Sequence, residues 1–390
     1  MWSAEETNWM RRAIEIARNG IGSVSPNPLV GCVIVKDGVL IGEGAHLMYG
    51  GPHAEVNAVA TAERAGHSLF GSTVFVTLEP CAHHGRTPPC ADLLVAKGIA
   101  KCVIATVDRN PKVVGGGAEV LRAAGIEVEV GLLQREAEDL ARFFIKHVIT
   151  GKPYVTLKFG MSIDGRTALA NGESQWITSE ASRARVHAMR AEYDAVLIGS
   201  GTALMDDPSL TVRMAQGRQP ERFVIDGALR LPETLKLFND EYSNLTTVIT
   251  IADSLENSPT KAEFLRKQGV KIVVVPKANS ADNMDLSQAM LLIGTMGVQG
   301  VMIEAGANLA AAAIRSGIVD EIAAFVAPIV LGGDAQPAVG QLGLTSLSES
   351  PNFYLQSLER VEGTNDLFLR YRKTAHKVDG AENARGNEHK

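Results

Sequence analysis

The stretch PHAE at residues 52–55, followed by TLEPC at residues 77–81 and then by Cys90, determines the first half of this fold. It offers one imidazole and two thiols, which suit a tetrahedral Zn²⁺, and a catalytic zinc keeps its fourth position for water. Glu55 stands two residues from the histidine, where such a site needs a side chain that moves protons. We therefore predict one Zn²⁺ per chain, with Glu55 as the catalytic residue and with the metal ligands His53, Cys81 and Cys90.

Local sequence patterns place these residues at the ends of regular elements. Apolar residues recur at helical spacing from Ala54 to Arg64, so His53 and Glu55 fall at the beginning of a predicted helix. The positive end of that helix favours a carboxylate in its first turn. Residues 72–78 form a β-branched, apolar run between glycine and proline, which predicts a buried strand that ends shortly before Cys81.

The loop between the two cysteines is longer than the usual one. Zinc deaminases that act on nucleobases carry His-x-Glu and a Cys-x-x-Cys turn, and their glutamate is not a ligand. Here residues 82–89 separate the cysteines, and they include His83, His84 and Arg86. Such side chains beside a metal predict contacts to an anionic or oxygen-rich substrate. Glu79 lacks the His-x-Glu spacing, so we expect it to accept hydrogen bonds from the backbone rather than act as a base.

Composition limits the class of protein. With 390 residues the chain is long enough for two domains, and its formal charge of −6 argues against a protein that coats nucleic acid. No stretch reaches the roughly 18 uncharged apolar residues of a membrane span, and the charged N-terminal segment does not resemble a signal peptide. The cysteines are too few for a disulfide framework, and Cys32 and Cys102 lie in apolar runs typical of a core. We therefore expect a cytoplasmic protein without membrane or nucleic-acid partners.

Predicted helices and strands alternate along both halves, which indicates an α/β fold with helices on the faces of each sheet. Residues 136–149 are predicted to form a helical segment that ends the first half. The sequence GKP at 151–153 then interrupts the pattern, and a strand predicted at 154–159 begins a new series. We expect one domain over residues 1–147, a second over 151–374, and a disordered polar tail over 375–390.

Several segments match the pattern of one known family. In the first half these are SPNPLVGCVI at 25–34, PHAE at 52–55 and the cysteine loop at 77–90. In the second half they are LKFGMSIDGR at 157–166, GESQWIT at 172–178, DDPSLTVR at 206–213 and EAG at 304–306. With these segments the chain resembles the bifunctional deaminase/reductase family of riboflavin biosynthesis. The resemblance covers nearly all of residues 5–372, and the long cysteine loop is its most specific part.

The resemblance implies a cytidine-deaminase-like N-terminal domain and a dihydrofolate-reductase-like C-terminal domain. It implies that the first domain hydrolytically deaminates 2,5-diamino-6-(5-phosphoribosylamino)pyrimidin-4-one. The second domain would then use NADPH to reduce the ribosyl group of 5-amino-6-(5-phosphoribosylamino)uracil to ribityl. Small phosphoribosyl pyrimidines are thus the expected substrates, and the oligomeric state is left open, a homo-oligomer included.

The resemblance also implies roles for single residues. In the deaminase domain, the residues expected to contact the substrate are Asn27, His46, His83 and Arg86. In the reductase domain, those expected to hold the substrate are Ser174, Arg190, Leu210, Arg213 and Glu304. The residues expected to bind NADPH are Gly160, Trp176, Thr202, Asp206, Gly306, Ala307, Asn308 and Leu309.

The reductase assignment has less support from the residues alone. The segment GSGT at 199–202 lacks the third glycine of Gly-x-Gly-x-x-Gly, so a dinucleotide-binding Rossmann domain is not indicated. This segment and residues 304–308 nevertheless follow predicted strand ends, where exposed backbone N–H groups can hold phosphates. Arg190 and Arg213 suit a ribose phosphate, because a guanidinium forks onto oxyanions.

Two other functions remain compatible with the zinc motif. The chain could deaminate free or RNA nucleobases and carry an inert second half, although its sequence has no basic, aromatic-rich stripe for RNA. Alternatively, zinc could stabilise a non-catalytic scaffold. Glu55 and the open fourth position count against a scaffold, because structural zinc usually has four protein ligands.

Overall fold

The computed structural model describes residues 2–83, 88–110, 116–278 and 284–373. The expectations for His84, for Arg86 and for the tail from residue 375 fall outside the described residues. Within these ranges the chain forms two α/β units, each built around one large sheet. The predicted α/β fold class is therefore confirmed.

The first unit is a five-stranded sheet with helices on both faces. Its strands are β1 Gly31–Lys36, β2 Val39–Ala45, β3 Thr73–Leu78, β4 Lys101–Thr106 and β5 Glu127–Val130. Its helices are α1 Ala4–Ala17, α2 Ala54–Arg64, α3 Cys90–Ala96, α4 Gly116–Ala123 and α5 Gln134–Leu140. The strand order is β2-β1-β3-β4-β5, in which β1 is antiparallel to both neighbours and the last three strands are parallel.

The core of this unit lies on both sides of the central strand β3. Helices α2, α3 and α4 pack on one face around Val74 and Val76, and α1 and α5 pack on the other around Phe75. Successive residues of a strand point to opposite faces, so the apolar run predicted from sequence buries its side chains in both layers. Cys32 and Cys102 are fully buried in the first of these layers, as expected.

Two glycines let α2 lie very close to β2. A Cβ on Gly44 would stand 2.3 Å from the backbone nitrogen of Ala58, and a Cβ on Gly42 would stand 2.5 Å from its carbonyl oxygen. No side chain fits in that space without displacing the helix. The close packing holds the beginning of α2, with His53 and Glu55, against the sheet.

The second unit is a nine-stranded sheet with a small two-stranded sheet beside it. Its strands are β6 Tyr154–Ser162, β7 Arg166–Ala168, β8 Ala195–Gly199, β9 Glu221–Ile225, β10 Thr246–Thr250, β11 Lys271–Val274, β12 Gly300–Glu304, β13 Glu321–Ala327, β14 Gln336–Pro337, β15 Phe353–Arg360 and β16 Leu367–Lys373. Its helices are α6 Arg142–Thr150, α7 Glu180–Glu192, α8 Ser200–Asp206, α9 Lys236–Asn239, α10 Ala252–Glu256, α11 Pro259–Lys267, α12 Leu286–Thr295 and α13 Ala307–Arg315.

The strand order in the large sheet is β11-β10-β9-β8-β12-β6-β13-β16-β15. The strands from β11 to β13 are parallel, and β16 and β15 add an antiparallel hairpin at one edge. Parallel strands present their carboxyl ends at one edge of the sheet, where ligand sites of α/β proteins form. The ends of β6, β8 and β12 therefore lie side by side.

The helical segment between the two units is divided between them. The helical segment predicted at 136–149 is observed as two helices: α5 ends at Leu140 and α6 begins at Arg142, with Ala141 at φ −91° and ψ 13° between them. The break has a packing reason: α5 buries Ala137 against the first sheet, whereas α6 packs Phe143 on the second unit. Among the described residues, no helix is long and apolar enough to span a membrane.

Candidate active sites

The three predicted metal ligands lie together beside the first sheet. His53 is the N-cap residue of α2, Cys90 is the first residue of α3, and Cys81 follows β3. His53 Nδ1 lies 3.6 Å from Cys81 Sγ and 3.3 Å from Cys90 Sγ, and the three ligand atoms lie within 4.8 Å of one another. Zinc–nitrogen and zinc–sulfur bonds at a tetrahedral angle place such atoms about 3.6 Å apart. The donor set and its spacing therefore fit zinc with one open position.

Hydrogen bonds around the sulfur atoms favour a metal-binding thiolate. Cys81 Sγ accepts a hydrogen bond from the backbone N–H of Cys90 at 3.3 Å. Hydrogen bonding from the Cys90 side chain, and then from His53, lowers the pKa of the Cys81 thiol. Thiolate is the form in which cysteine binds a metal.

Glu55 is a buried carboxyl group beside the metal ligands. It lies in the first turn of α2 and is 3% exposed. Burial raises the pKa of its carboxyl group to about 7, although a hydrogen bond to the backbone opposes the shift. A group with this pKa can both accept and release a proton near neutral pH. The geometry thus agrees with a proton carrier that is not itself a ligand.

Asn27 and His46 come together next to the metal ligands. The His46 ring is buried and meets the His53 ring edge to face, with 5.6 Å between the ring centroids. His46 Nδ1 lies 2.9 Å from the carbonyl oxygen of Pro52, and its Nε2 lies 3.0 Å from Asn27 Nδ2. A carbonyl only accepts, so Nδ1 carries the proton and Nε2 accepts a hydrogen bond from the Asn27 amide. Burial lowers the pKa of His46, which favours this neutral ring.

The sequence singles out three further polar residues near the metal ligands: His83, Arg86 and Glu79. His83 is an exposed residue at the end of the described part of the cysteine loop, and Arg86 lies outside the described residues. Glu79 accepts hydrogen bonds from the backbone N–H of Asp108 at 3.1 Å and of Ala118 at 2.9 Å. The expectation that Glu79 holds the backbone is therefore confirmed.

The second unit has a buried charge cluster at the carboxyl ends of its central strands. Glu304 ends β12, and Lys158 lies opposite it in β6. Arg190 in α7 donates two hydrogen bonds to the Glu304 carboxylate, at 2.6 Å and 3.1 Å, and Lys158 Nζ lies 3.1 Å from the same group. Burial opposes ionisation of Glu304, but Arg190 and Lys158 outweigh it and hold its pKa well below the usual range. The site therefore contains an ionised carboxylate held by two cations.

This cluster gives Arg190 a different environment from the one expected for a phosphate ligand. Its guanidinium is already engaged by Glu304 and by the carbonyl oxygen of Thr211 at 3.0 Å. In this conformation Arg190 orients Glu304 and the loop that follows α8. Lys158 is not among the site residues predicted from the sequence. The feature that distinguishes it is that it is the only charged residue in β6, an otherwise apolar or uncharged strand.

The loop at 209–213 carries two more of the predicted substrate residues. Leu210 is buried with φ at 54°, a left-handed conformation that is uncommon for leucine. The backbone N–H of Arg213 donates to His187 Nδ1 at 3.1 Å, and its exposed guanidinium donates to Thr211 Oγ1 at 2.9 Å. Burial and the nearby arginines lower the pKa of His187 to about 4, so the ring stays neutral and can accept this bond. Arg213 is therefore accessible to a bound anion.

The residues predicted to bind NADPH lie along the same edge of the sheet. Gly160 belongs to β6, Thr202 and Asp206 belong to α8, and Gly306 is the N-cap of α13. A Cβ on Gly306 would stand 3.5 Å from Thr202 Oγ1, so the turns after β8 and β12 are neighbours. Residues 307–309 form the first turn of α13, whose free backbone N–H groups suit a phosphate.

Two further predicted residues lie in the segment between β7 and α7. Trp176 is 67% exposed, and the Arg183 guanidinium lies 4.0 Å from its ring centroid. Ser174 is half-buried in the same segment. The exposed indole ring agrees with a ligand contact better than with a place in the core.

Two sites of different chemistry thus lie on the two units. Three metal ligands that lie together beside a buried glutamate are the arrangement typical of zinc-dependent nucleobase deaminases. In this chain that domain is joined to a second α/β domain whose strand ends carry an anion-accessible arginine and the Glu304 cluster.

Comparisons with known proteins agree with both halves. Residues 3–106 match the cytidine and deoxycytidylate deaminase zinc-binding region, and residues 153–366 match the RibD C-terminal domain. The riboflavin biosynthesis protein RibD of Actinobacillus pleuropneumoniae is 41% identical over 367 residues, which cover 94% of this chain and 95% of that protein. RibD of Escherichia coli strain K12 is 41% identical over 366 residues, which cover 92% of this chain and 97% of that protein.

Solved structures give the same result. Acinetobacter baumannii RibD superposes with a TM-score of 0.83 at 38% identity, covering 95% of this chain and 99% of that chain. A diaminohydroxyphosphoribosylaminopyrimidine deaminase/5-amino-6-(5-phosphoribosylamino)uracil reductase of Thermotoga maritima superposes with a TM-score of 0.82 at 35% identity, with coverage of 95% and 99%. The chain belongs to the RibD family and is a bifunctional enzyme of riboflavin biosynthesis, a zinc-dependent deaminase and an NADPH-dependent reductase. The family resemblance read from the sequence is confirmed.

Proposed function

We propose that the first domain deaminates 2,5-diamino-6-(5-phosphoribosylamino)pyrimidin-4-one and that the second reduces the ribosyl group of 5-amino-6-(5-phosphoribosylamino)uracil to ribityl. The observation that carries this proposal is the convergence of His53, Cys81 and Cys90 beside the buried Glu55. The two activities named for the Thermotoga maritima relative support the same pair of substrates here.

In the deaminase site, His53, Cys81 and Cys90 would hold the zinc, which when bound makes a water molecule acidic enough to ionise near neutral pH. Glu55 would accept a proton from the attacking water and deliver protons to the ring nitrogen and to the amine, which leaves as ammonia. General acid–base catalysis of this kind contributes roughly 10²–10⁴-fold.

The remaining residues of this site would hold the pyrimidine ribotide. Asn27 donates its amide to His46, which leaves Asn27 Oδ1 to accept a hydrogen bond from an amino group of the ring. His46 would act through this contact, since its other nitrogen is bonded to the carbonyl of Pro52. His83 and Arg86 are proposed to reach the ring and the ribose phosphate from the cysteine loop.

In the reductase site, NADPH supplies the hydride when bound, and the protein supplies position and electrostatics. Arg213, with its exposed guanidinium, is proposed to bind the substrate phosphate. Arg190 would position Glu304, which can accept hydrogen bonds from sugar hydroxyls. Lys158 can donate to the sugar oxygen on which negative charge develops during reduction.

Ser174 and Leu210 complete the proposed substrate site, and the proposed cofactor site consists of Gly160, Trp176, Thr202, Asp206, Gly306, Ala307, Asn308 and Leu309. The domains proposed from sequence are 1–147 and 151–374. The packing of α6 on the second unit supports a junction at Ala141 instead. A cytoplasmic location is proposed because the two thiols of the metal site must stay reduced to bind zinc.

The test is to supply the diaminopyrimidine ribotide with and without NADPH and to identify the products. Without NADPH the expected products are ammonia and the aminouracil ribotide, and with NADPH the ribityl compound follows. Deamination of cytidine or cytosine in preference to the ribotide would refute the proposed substrate. Reduction of the diaminopyrimidine before any ammonia appears would refute the order of the two steps.

A further inference from the structure

The reductase unit touches the loop of the deaminase unit that carries Asn27. A Cβ on Gly22 would stand 2.6 Å from the carbonyl oxygen of Ala191 in α7, so this loop lies directly on the second unit. Gln299 Nε2, just before β12, donates a hydrogen bond of 2.7 Å to the carbonyl oxygen of Pro26. Pro26 immediately precedes Asn27. A side chain of one unit therefore holds the backbone that carries a proposed substrate contact of the other.

Gln299 is held firmly on its own side of the junction. It is 4% exposed, and its backbone N–H donates to Asp194 Oδ2 at 2.7 Å. Its carbonyl oxygen accepts a hydrogen bond from the backbone N–H of Tyr154 at 2.6 Å. Asp194 is in turn paired with Arg218. Hydrogen bonds thus fix the backbone of Gln299 on the second unit. A side-chain donor on such a backbone can fix the position of its acceptor, the Pro26 carbonyl.

From Pro26 the contacts continue to the metal centre. Asn27 Nδ2 lies 3.0 Å from His46 Nε2, and the His46 ring lies against the ring of the zinc ligand His53. His46 holds Asn27 through its side chain, the carbonyl oxygen of Val24 holds it through its backbone N–H at 2.9 Å, and Gln299 holds it through the preceding carbonyl. Of these contacts, only the one from Gln299 comes from the second unit, so its loss removes the restraint that the second unit places on this loop.

We infer that Gln299 is a positioning residue for deamination, so that the reductase unit completes the substrate site of the deaminase unit. This inference rests on the proposed function, in which Asn27 contacts the pyrimidine. Within the described residues, Gln299 makes no hydrogen bond to the metal ligands or to the Glu304 cluster. Its effect on the deaminase therefore has to pass through the loop at 21–29.

The experiment replaces the donor without changing the shape of the side chain. Gln299→Glu sets a carboxylate oxygen against the Pro26 carbonyl, and Gln288→Glu makes the same change on the exposed side of α12 as a matched control. Loss of one neutral hydrogen bond predicts that the deaminase KM for the ribotide rises on the order of 2- to 10-fold. Repulsion between the new carboxylate and the Pro26 carbonyl makes this range a lower bound for Gln299→Glu. The kcat, the zinc content and the reduction of supplied aminouracil ribotide should stay at their wild-type values, and Gln288→Glu should match wild type throughout.

A double-mutant cycle separates positioning from general destabilisation. In an Asn27→Ala background, Gln299→Glu should cause no further rise in the deaminase KM, since the residue it positions is gone. An unchanged KM in Gln299→Glu alone, or an equal rise in both backgrounds, would overturn the inference. If Gln299→Glu does not fold, Gln299→Ala is measured in the same cycle and decides by the same criteria.

The failure of the proposed function would look different. Asn27→Ala with a wild-type KM would remove Asn27 from the substrate site before Gln299 is varied, and would overturn the role of both residues. If Asn27→Ala raises the KM, the role of Asn27 stands. The effect of Gln299→Glu in the two backgrounds then tests the role of Gln299 alone.

Discussion

A reductase fragment that begins at Arg142 should be more stable than one that begins at Gly151, because only the longer fragment keeps α6. The Phe143 ring lies against the rings of Tyr193 and Tyr154, with centroid distances of 4.7 Å and 5.6 Å. A Cβ on Gly300 would stand 2.7 Å from that ring, so the aromatic side chain fills space that the glycine leaves open.

Two ion pairs add to this contact. Arg142 pairs with Glu192 at 2.5 Å, and Lys146 pairs with Asp320 at 2.5 Å. Partial burial of a phenylalanine contributes about 1–2 kcal/mol, and each partly exposed ion pair contributes about 0.2–1 kcal/mol. Removal of α6 should therefore cost about 1.5–4 kcal/mol, which lowers Tm by roughly 3–15 °C for a domain of this size.

The assay is thermal unfolding of the two fragments, with NADPH-dependent reduction of the aminouracil ribotide as the measure of a native site. Phe143→Ala in the longer fragment is the matched variant, and its Tm should fall between the other two. Equal Tm values for the fragments that begin at Arg142 and at Gly151 would refute the reasoning, because they would show that α6 contributes nothing to the reductase unit.

Three further predictions concern the sites themselves. Glu55→Gln should retain zinc and lose deamination by roughly 10²–10⁴-fold, while reduction of the supplied aminouracil ribotide persists; near-wild-type deamination would contradict the role of Glu55. Gly44→Val should lower both Tm and zinc content, because its Cβ would stand 2.3 Å from a backbone nitrogen of α2. The control variant Gly227→Val should lower neither, because a Cβ there meets open space. The pKa of His187 is lowered from 6.5 to about 4, so the unfolded chain binds the proton more readily and stability should decline as pH falls from about 6.5 towards 4. Because protonation also removes the acceptor for the Arg213 N–H, the reductase KM should rise over the same range, and His187→Asn should abolish both trends if the assignment is right.

The metal centre could be predicted from the sequence, because its parts are local. His53 and Glu55 are placed by one helix, and the predicted range from Ala54 to Arg64 agrees with the observed α2. Cys81 follows a strand that the apolar run at 72–78 predicts from the sequence alone, and Cys90 is the first residue of the next helix. Each of these positions depends on hydrogen bonds and side-chain periodicity within about ten residues.

Only the tertiary structure determines the side-chain contacts between residues that are far apart in the sequence. The sequence predicted that Arg190 holds the substrate, and packing of α7 beside β12 engages its guanidinium with Glu304, 114 positions away. Lys158 enters that cluster only because β6 and β12 are neighbours in the sheet. The contact from Gln299 to Pro26 spans 273 positions and two domains.

The physical reason for this division is the range of the interactions involved. Caps, turns and alternating burial are set by neighbours along the chain, and they leave a pattern in the sequence. The order of strands in a sheet and the docking of two domains depend on the total apolar surface that they bury together. Because this driving force is non-directional, the sequence pattern of one element does not show which element it packs against. The zinc ligands can therefore be predicted from local sequence. The Glu304 cluster, and the hydrogen bond by which Gln299 of the second domain holds the loop at 21–29, form only when the whole chain has folded.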